Sequence, residues 1–161
     1  MNTALITGAS RGLGRALAAG LARAGFDLVI DARDAAALDA GAGALRAAGA
    51  TVTAVPGDVT DPAHRAALIA ACAGRLDLLV NNAGTLGASP LPALADYPAD
   101  ELRATFEANV IAPIALTQLA LPLLRASGGA VLNITSDAAV EAYAGWGGYG
   151  SSKAALDHLS A

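Results

Sequence analysis

Tyr149 and Lys153 stand four residues apart in the segment YGSSK, close to the end of a 161-residue chain. Lys153 is the only lysine, and arginines carry the rest of the positive charge. On a helix, a separation of four puts both side chains on one face. A phenol titrates near ~10 and is by itself a poor proton donor or base at neutral pH. A neighbouring ammonium favours the phenolate and lowers that value. General acid–base catalysis works best when the group titrates near the operating pH. The pair therefore predicts a proton-exchanging tyrosine tuned by the one lysine. A surface tyrosine and lysine on an amphipathic helix would show the same spacing, so the pair must be weighed with its surroundings.

Two further stretches point to chemistry. Pro113 falls inside a helical pattern and has no N–H, so the carbonyl of Asn109 loses its helical donor and a kink is predicted. A carbonyl freed at a kink can bind a water; a kink without chemistry is the alternative. Upstream, TGASRGLG (residues 7–14) carries Gly8, Gly12 and Gly14 between a predicted strand and a predicted helix. A dinucleotide site needs a tight turn, bare backbone beside the pyrophosphate and a helix N-terminus aimed at the charge. The strand–loop–helix context is what separates this loop from an ordinary turn.

The elements that must position these residues alternate along the chain. Strands are predicted over 3–7, 27–31, 51–55, 77–80 and 130–135. Helices are predicted over 11–25, 34–48, 62–74 and 98–125, with a last one beginning near Tyr149. Leu13, Leu17 and Leu21 share one face of the first helix, Asp61 is a plausible cap, and Pro62 fits a first turn. The short strands are apolar on both faces, and crossover helices separate them. This is the pattern of an α/β fold, a parallel sheet covered on both sides, here in one domain over residues 1–161.

Composition narrows the function classes. Hydrophobic residues make up 55% of the chain and aromatics only 4%, so the core rests on Leu, Val, Ile and Ala. No apolar run approaches the ~18–20 residues of a membrane span, and the N-terminus does not read as a signal peptide. Cys72 is the single cysteine, so no internal disulfide forms, and its helical setting predicts a buried inert thiol. These features predict a cytoplasmic protein with no membrane partner. A net charge of −4 without a basic cluster speaks against nucleic acid. His64 and His158 are isolated, no cluster has metal-ligand spacing, and surface or helix-packing roles are expected for both histidines. Tyr143 and Trp146 either wall a pocket or pack their loop, and Asp137 and Glu141 are weaker candidates for contact with a polar substrate.

The loop spacing T-G-x-x-x-G-x-G differs from G-x-G-x-x-G and resembles the short-chain dehydrogenase/reductase family. NNAG at 81–84, NVIAP at 109–113, Ser136 and YGSSK at 149–153 match that family in the same order. The resemblance covers the whole chain and implies a doubly wound, Rossmann-like sheet in the order 3-2-1-4-5. It implies a nicotinamide cofactor held by Gly8, Ser10, Arg11, Gly12, Leu13, Gly14, Arg33, Asp58, Val59, Asn81, Ala83, Gly84, Tyr149 and Lys153. It also implies a catalytic set of Asn109, Ser136, Tyr149 and Lys153. Tyr149 would exchange a proton with the substrate oxygen, Ser136 would hold that oxygen, Lys153 would also bond the nicotinamide ribose, and the Asn109 backbone would hold a water. In DLVIDARD, alignment with family patterns puts Ala32 in the position whose acid favours NAD, with Arg33 just after it. Asp31 should then point to the other side. Arg33 and Arg11 around a 2′-phosphate favour NADP over NAD.

The expected activity is NADP(H)-dependent interconversion of a carbonyl and an alcohol on a small molecule. A nucleotide-binding fragment or interaction module without turnover is the alternative. An extended-branch sugar-nucleotide epimerase is disfavoured by the loop spacing. Family members continue beyond the tyrosine helix with two more strands and a substrate loop. The resemblance therefore implies a fragment of a longer enzyme, with an open apolar edge on the fifth strand and marginal stability alone or a need for a partner. Homo-oligomers are expected for a full-length form.

Overall fold

A computed structural model describes residues 2–161. Five strands, β1 (Thr3–Ile6), β2 (Asp27–Ala32), β3 (Val52–Pro56), β4 (Leu78–Asn81) and β5 (Ala130–Asn133), form one sheet in the order β3-β2-β1-β4-β5. The pairings of β1 with β2 and β4, and of β2 with β3, are parallel, with Ala4 opposite both Leu28 and Leu78. The doubly wound order expected from the sequence is the observed one. β1 is buried along its whole length, as a central strand covered on both faces must be.

Six helices connect and follow the strands: α1 (Gly12–Arg23), α2 (Ala35–Ala47), α3 (Pro62–Ala71), α4 (Ala99–Phe106), α5 (Ala112–Ser127) and α6 (Gly147–Leu159). Asp34 caps α2 by accepting from the Ala37 amide, and Asp61 caps α3 by accepting from Ala63 with Pro62 in the first turn. These carboxylates satisfy backbone donors that a helix start leaves unpaired.

Close packing groups the chain into two compact units. The first comprises residues up to Ala83 with Leu116–Leu132, and the second comprises Gly84–Ala115 with Asn133–Ala161. The first unit holds β1 to β4 and most of β5. Its core joins Leu5, Val29 and Leu79 of the sheet to Leu68 of α3, to Cys72 and Leu76 in the segment that follows it, and to Leu116, Ala120 and Leu124 of α5. Leu116, Ala120 and Leu124 recur every four residues, one stripe of a helix. Burying each such leucine contributes roughly 1.5–3 kcal/mol. The Cys72 thiol lies in this core, donates to the Leu68 carbonyl, and is pushed up to about 11 by burial. In the second unit, α4 and α6 pack together with the turn that follows α4.

Four expectations are corrected. The face of α1 that packs inward is Gly14 and Ala18, while Leu13 is 52% exposed; small residues let the helix approach closely, which leucines would prevent. The single helix expected over 98–125 is two helices joined by a π-helical turn over Glu107–Ile111. The wider turn lies just upstream of Pro113, as expected where a proline ring opposes the carbonyl four residues back. Within this helical stretch, Ala99–Ser127 includes a window of mean hydropathy 1.5, long and apolar enough by length and composition to cross a membrane. Scattered Thr, Asn and Gln among the Leu and Ala hid that window from a search for unbroken apolar runs, and in the chain Leu116, Ala120 and Leu124 spend it on the sheet. Finally, His64 is neither isolated nor at the surface: it is buried and paired with Asp31.

Candidate active site

The first unit carries the glycine loop. Gly8, Ser10 and Arg11 lie between β1 and α1, and Gly12, Leu13 and Gly14 form the first turn of the helix. Arg11 occupies the cap position in extended backbone and offers no side-chain cap, so no side chain occupies the leading amides. Gly14 is required by space: a Cβ there would overlap the Gly8 carbonyl and the Asn82 side chain. Asn82 Nδ2 donates to the carbonyls of Thr7 (2.8 Å) and Gly8 (3.1 Å), and Thr7 Oγ1 accepts from the amides of Asn82 and Ala83. These bonds tie NNAG to the glycine loop. The sequence reading missed both Thr7 and Asn82; their signal was their place at the ends of adjacent strands. Asn81 instead is buried and donates to Thr117.

Around the second and third strands, Arg33 and Arg11 are exposed, and neither forms an ion pair among the described residues. Asp31 is buried and turned inward, as the alternation of strand side chains predicts. Burial pushes its carboxyl up, and the hydrogen bond from His64 pulls it partly back. Asp58 Oδ1 accepts from both the amide and the hydroxyl of Thr60. The Thr60 amide is the main cause of its lowered pKa, with smaller contributions from the charges of Arg33 and His64. The Val59 carbonyl accepts from Arg65 at 2.6 Å.

The second unit brings together the candidate catalytic residues. Tyr149 and Lys153 share one face of α6. The helix can sit close because residues flanking the tyrosine lack side chains: a Cβ on Gly148 would overlap the Tyr97 ring, and one on Gly150 would lie 2.5 Å from the Ala138 carbonyl. Lys153 is 5% exposed; its ammonium donates to the Ile134 carbonyl at 2.7 Å and lies 5.8 Å from the centre of the Tyr149 ring. Burial holds its pKa below the ordinary lysine value, with the Asp157 charge acting in the opposite sense. Ser136 caps a short 3₁₀ turn over Asp137–Ala139: its hydroxyl donates to Asp137 Oδ1 at 3.0 Å and accepts from the Ala138 amide at 3.2 Å. Ser136 must turn from Asp137 to donate elsewhere.

Asn109 is central through its side chain as well as its backbone. Its Oδ1 accepts from the Thr85 amide (2.8 Å), and its Nδ2 donates to the Thr85 carbonyl (2.8 Å) and to Ser152 Oγ (2.9 Å). Ser152 in turn donates to the Tyr149 carbonyl at 2.6 Å. Thr85 and Ser152 escaped the sequence reading because nothing in their spacing marks them. Beside Gly84, a Cβ would meet Asn109 Oδ1 at 3.0 Å and Lys153 Nζ at 3.7 Å, so this glycine keeps that space open.

Tyr143, Trp146 and Tyr149 form a chain of edge-on aromatic contacts with centroids 6.1 and 5.8 Å apart. Tyr143 donates to Asp137 and Glu141. Tyr143 and Trp146 do wall a cavity of about 290 Å³, but its helical lining is Gly147, Gly150, Ser151 and Ala154. At 3.6 residues per turn those positions face away from Tyr149 and Lys153, so this cavity is not the space over the tyrosine. No group of acidic, histidine or cysteine residues suited to a metal occurs among the described residues.

Comparison with known proteins places the chain in a family. The short chain dehydrogenase family model matches residues 2–161, and the chain belongs to that family. A rhamnolipids biosynthesis 3-oxoacyl-(acyl-carrier-protein) reductase of Pseudomonas aeruginosa is 41% identical over 98% of this chain and 63% of its own length. An alcohol dehydrogenase from Thermococcus sibiricus, solved with 5-hydroxy-NADP, superposes with a TM-score of 0.92 at 32% identity, covering 99% of this chain and 68% of that one. A short chain dehydrogenase/reductase from Burkholderia phymatum, solved with NAD, gives 0.91 at 34% identity, covering 98% and 57%. The chain spans about three fifths of the length of the curated relatives it matches.

Proposed function

We propose that this protein is an NADP(H)-dependent oxidoreductase interconverting a carbonyl and an alcohol on a small molecule, with Tyr149 exchanging the proton. The observation that carries the reading is the buried Lys153 on the Tyr149 face of α6, anchored to Ile134 beside the Asn109 network. A lysine costs free energy to bury, and a charge held next to a phenol stabilises the phenolate. The glycine loop fits a dinucleotide: Gly14 leaves room where a side chain would intrude, and the α1 start has no side-chain cap.

A bound nicotinamide would supply or accept the hydride. The chain's own residues would do the rest. Tyr149 Oη would give a proton to the substrate oxygen in reduction or take it in oxidation. Ser136 Oγ, turned from Asp137, would hold the same oxygen. Lys153 would hold a positive charge beside the phenol. Pro113 withholds a helical donor from the Asn109 carbonyl, which would then hold a water for proton exchange with solvent. Solved relatives carry either cofactor. Exposed Arg33 and Arg11, with Ala32 at the end of β2, support the 2′-phosphate of NADP.

Titration of the chain with NADPH and NADH, read by reduced-nicotinamide fluorescence, tests this reading. The expected result is tighter NADPH binding that Arg33→Asp abolishes, with turnover lost in Tyr149→Phe. Equal affinity for the two would overturn the NADP assignment. Binding without turnover on any carbonyl would favour a nucleotide-binding module instead, a reading to which the exposed Val131 and Leu132 of β5 lend weight.

A further inference from the structure

We infer that Asp31 and His64 are positioning residues for the glycine loop: the imidazole keeps a buried carboxylate available as an acceptor, and the carboxylate fixes the Gly8 amide. This rests on the nucleotide-binding reading above. Asp31 is 1% exposed and both of its oxygens are engaged. Oδ1 accepts from the Gly8 amide at 2.8 Å, and Oδ2 lies 3.0 Å from His64 Nε2. The Asp31 backbone carbonyl also accepts from Ala9 at 2.8 Å. On the other side, the Gly8 carbonyl accepts from Asn82. Both polar groups of the Gly8 backbone are thus held before any ligand arrives. The imidazole reaches this place because residue 57 is glycine; a Cβ there would overlap the ring.

The couple does two things that a structural hydrogen bond alone would not. First, a buried carboxylate without a donor partner tends to take up a proton, and its new O–H would compete for the orientation of the Gly8 peptide. Second, a carboxylate under an anion-binding loop repels a diphosphate unless a cation cancels it. The Asp58 charge acts on Asp31, and the Arg33 charge acts on Asp58. Arg65 is buried against Val59, and the His64 ring lies against the far oxygen of Asp31.

The test is nucleotide binding to the full chain at one fixed pH, by reduced-nicotinamide fluorescence. NADH is the principal probe because it lacks the 2′-phosphate that itself titrates. His64→Ala is expected to weaken NADH about tenfold, some 1.4 kcal/mol, with the far-ultraviolet dichroism unchanged. His64→Gln keeps an N–H donor, so it should bind within about threefold of the parent. The exposed His158→Gln should keep the parent's affinity. A folded His64→Ala with the parent's affinity overturns the proposal. If that variant does not fold, parent-like affinity in His64→Leu, which fills the space without a donor, overturns it. If the parent binds neither nucleotide, the nucleotide reading fails by itself, and hydrogen exchange at the Gly8 amide decides: lost protection in Asp31→Ala, which removes the acceptor, supports the couple, and unchanged protection refutes it.

Discussion

Truncating Asn109 to alanine tests whether one side chain holds the loop at Thr85 to the tyrosine helix. Asn109 has no exposed surface and makes three hydrogen bonds, two with the Thr85 backbone and one with Ser152. A typical internal hydrogen bond contributes about 1 kcal/mol net, and a buried group left unpaired costs about 1–3 kcal/mol. Ser152 keeps its bond to the Tyr149 carbonyl, and half-buried Thr85 recovers some hydration. The expected loss is therefore about 2–4 kcal/mol, a large part of the ~5–15 kcal/mol that stabilises a domain. At about 2–4 °C per kcal/mol for a chain of this length, the melting temperature should fall by roughly 4–16 °C. Thermal melts by dichroism and calorimetry measure it, with agreement of the two probes as the check on two-state behaviour. Asn109→Asp sharpens the test. It keeps the acceptor for the Thr85 amide, loses both donations, and places a negative charge near Lys153, since Asn109 Oδ1 and Lys153 Nζ converge over Gly84. An alanine variant that melts within about 1 °C of the parent would refute the anchoring role.

Two more outcomes are expected. Burial depresses the Lys153 pKa below 10.5, so the folded chain releases this proton more readily than the unfolded chain, and the charged lysine costs stability below its folded pKa. That cost is relieved as pH rises through the folded value toward 10.5; Lys153→Met should melt at or above the parent temperature at neutral pH, lose this alkaline gain and lose turnover. A lower melting temperature in the variant would contradict the desolvation argument. Gly14→Ala should destabilise by about 1–3 kcal/mol through overpacking and abolish nucleotide binding; urea denaturation at parent-like midpoint would show that the loop is looser than the overlap with Gly8 and Asn82 implies.

The strands and helices and the placement of the glycine loop and of Tyr149 with Lys153 were legible because they depend on local period and on turn residues, whereas the sheet order came from the family resemblance. Apolar runs bounded by Gly25, Gly49 and Pro56 read as strands and helices whatever the tertiary context. The inward face of α1 was not legible. Leu13, Leu17 and Leu21 carry the stronger apolar signal, but a helix that must pack closely selects Gly14 and Ala18. His64 and Asp31 lie 33 residues apart and on different elements, so no spacing rule links them. Asn109 was legible only through Pro113. Its side-chain partners, Thr85 and Ser152, arrive from separate segments and have no signature of their own.

That proline ties the fold to the chemistry. In a regular α-helix the Pro113 ring would press on the Asn109 carbonyl and leave it without a donor. A π-helical turn over Glu107–Ile111 meets the same residues with a wider loop of backbone. Widening a helix by one residue rotates whatever follows relative to what precedes. Here Asn109 and Val110 are buried within the turn, and Leu116, Ala120 and Leu124 then form the stripe of α5 that packs in the core. The irregularity thus serves two ends at once: it relieves the clash that the proline creates, and it holds the asparagine side chain where it bonds Ser152, one residue from Lys153. A straight helix would leave the same carbonyl without a donor, would press the proline ring against it, and would not carry the turned asparagine. The local loss of regular hydrogen bonding is offset by the three side-chain bonds of Asn109, which is why the distortion can persist in a buried segment.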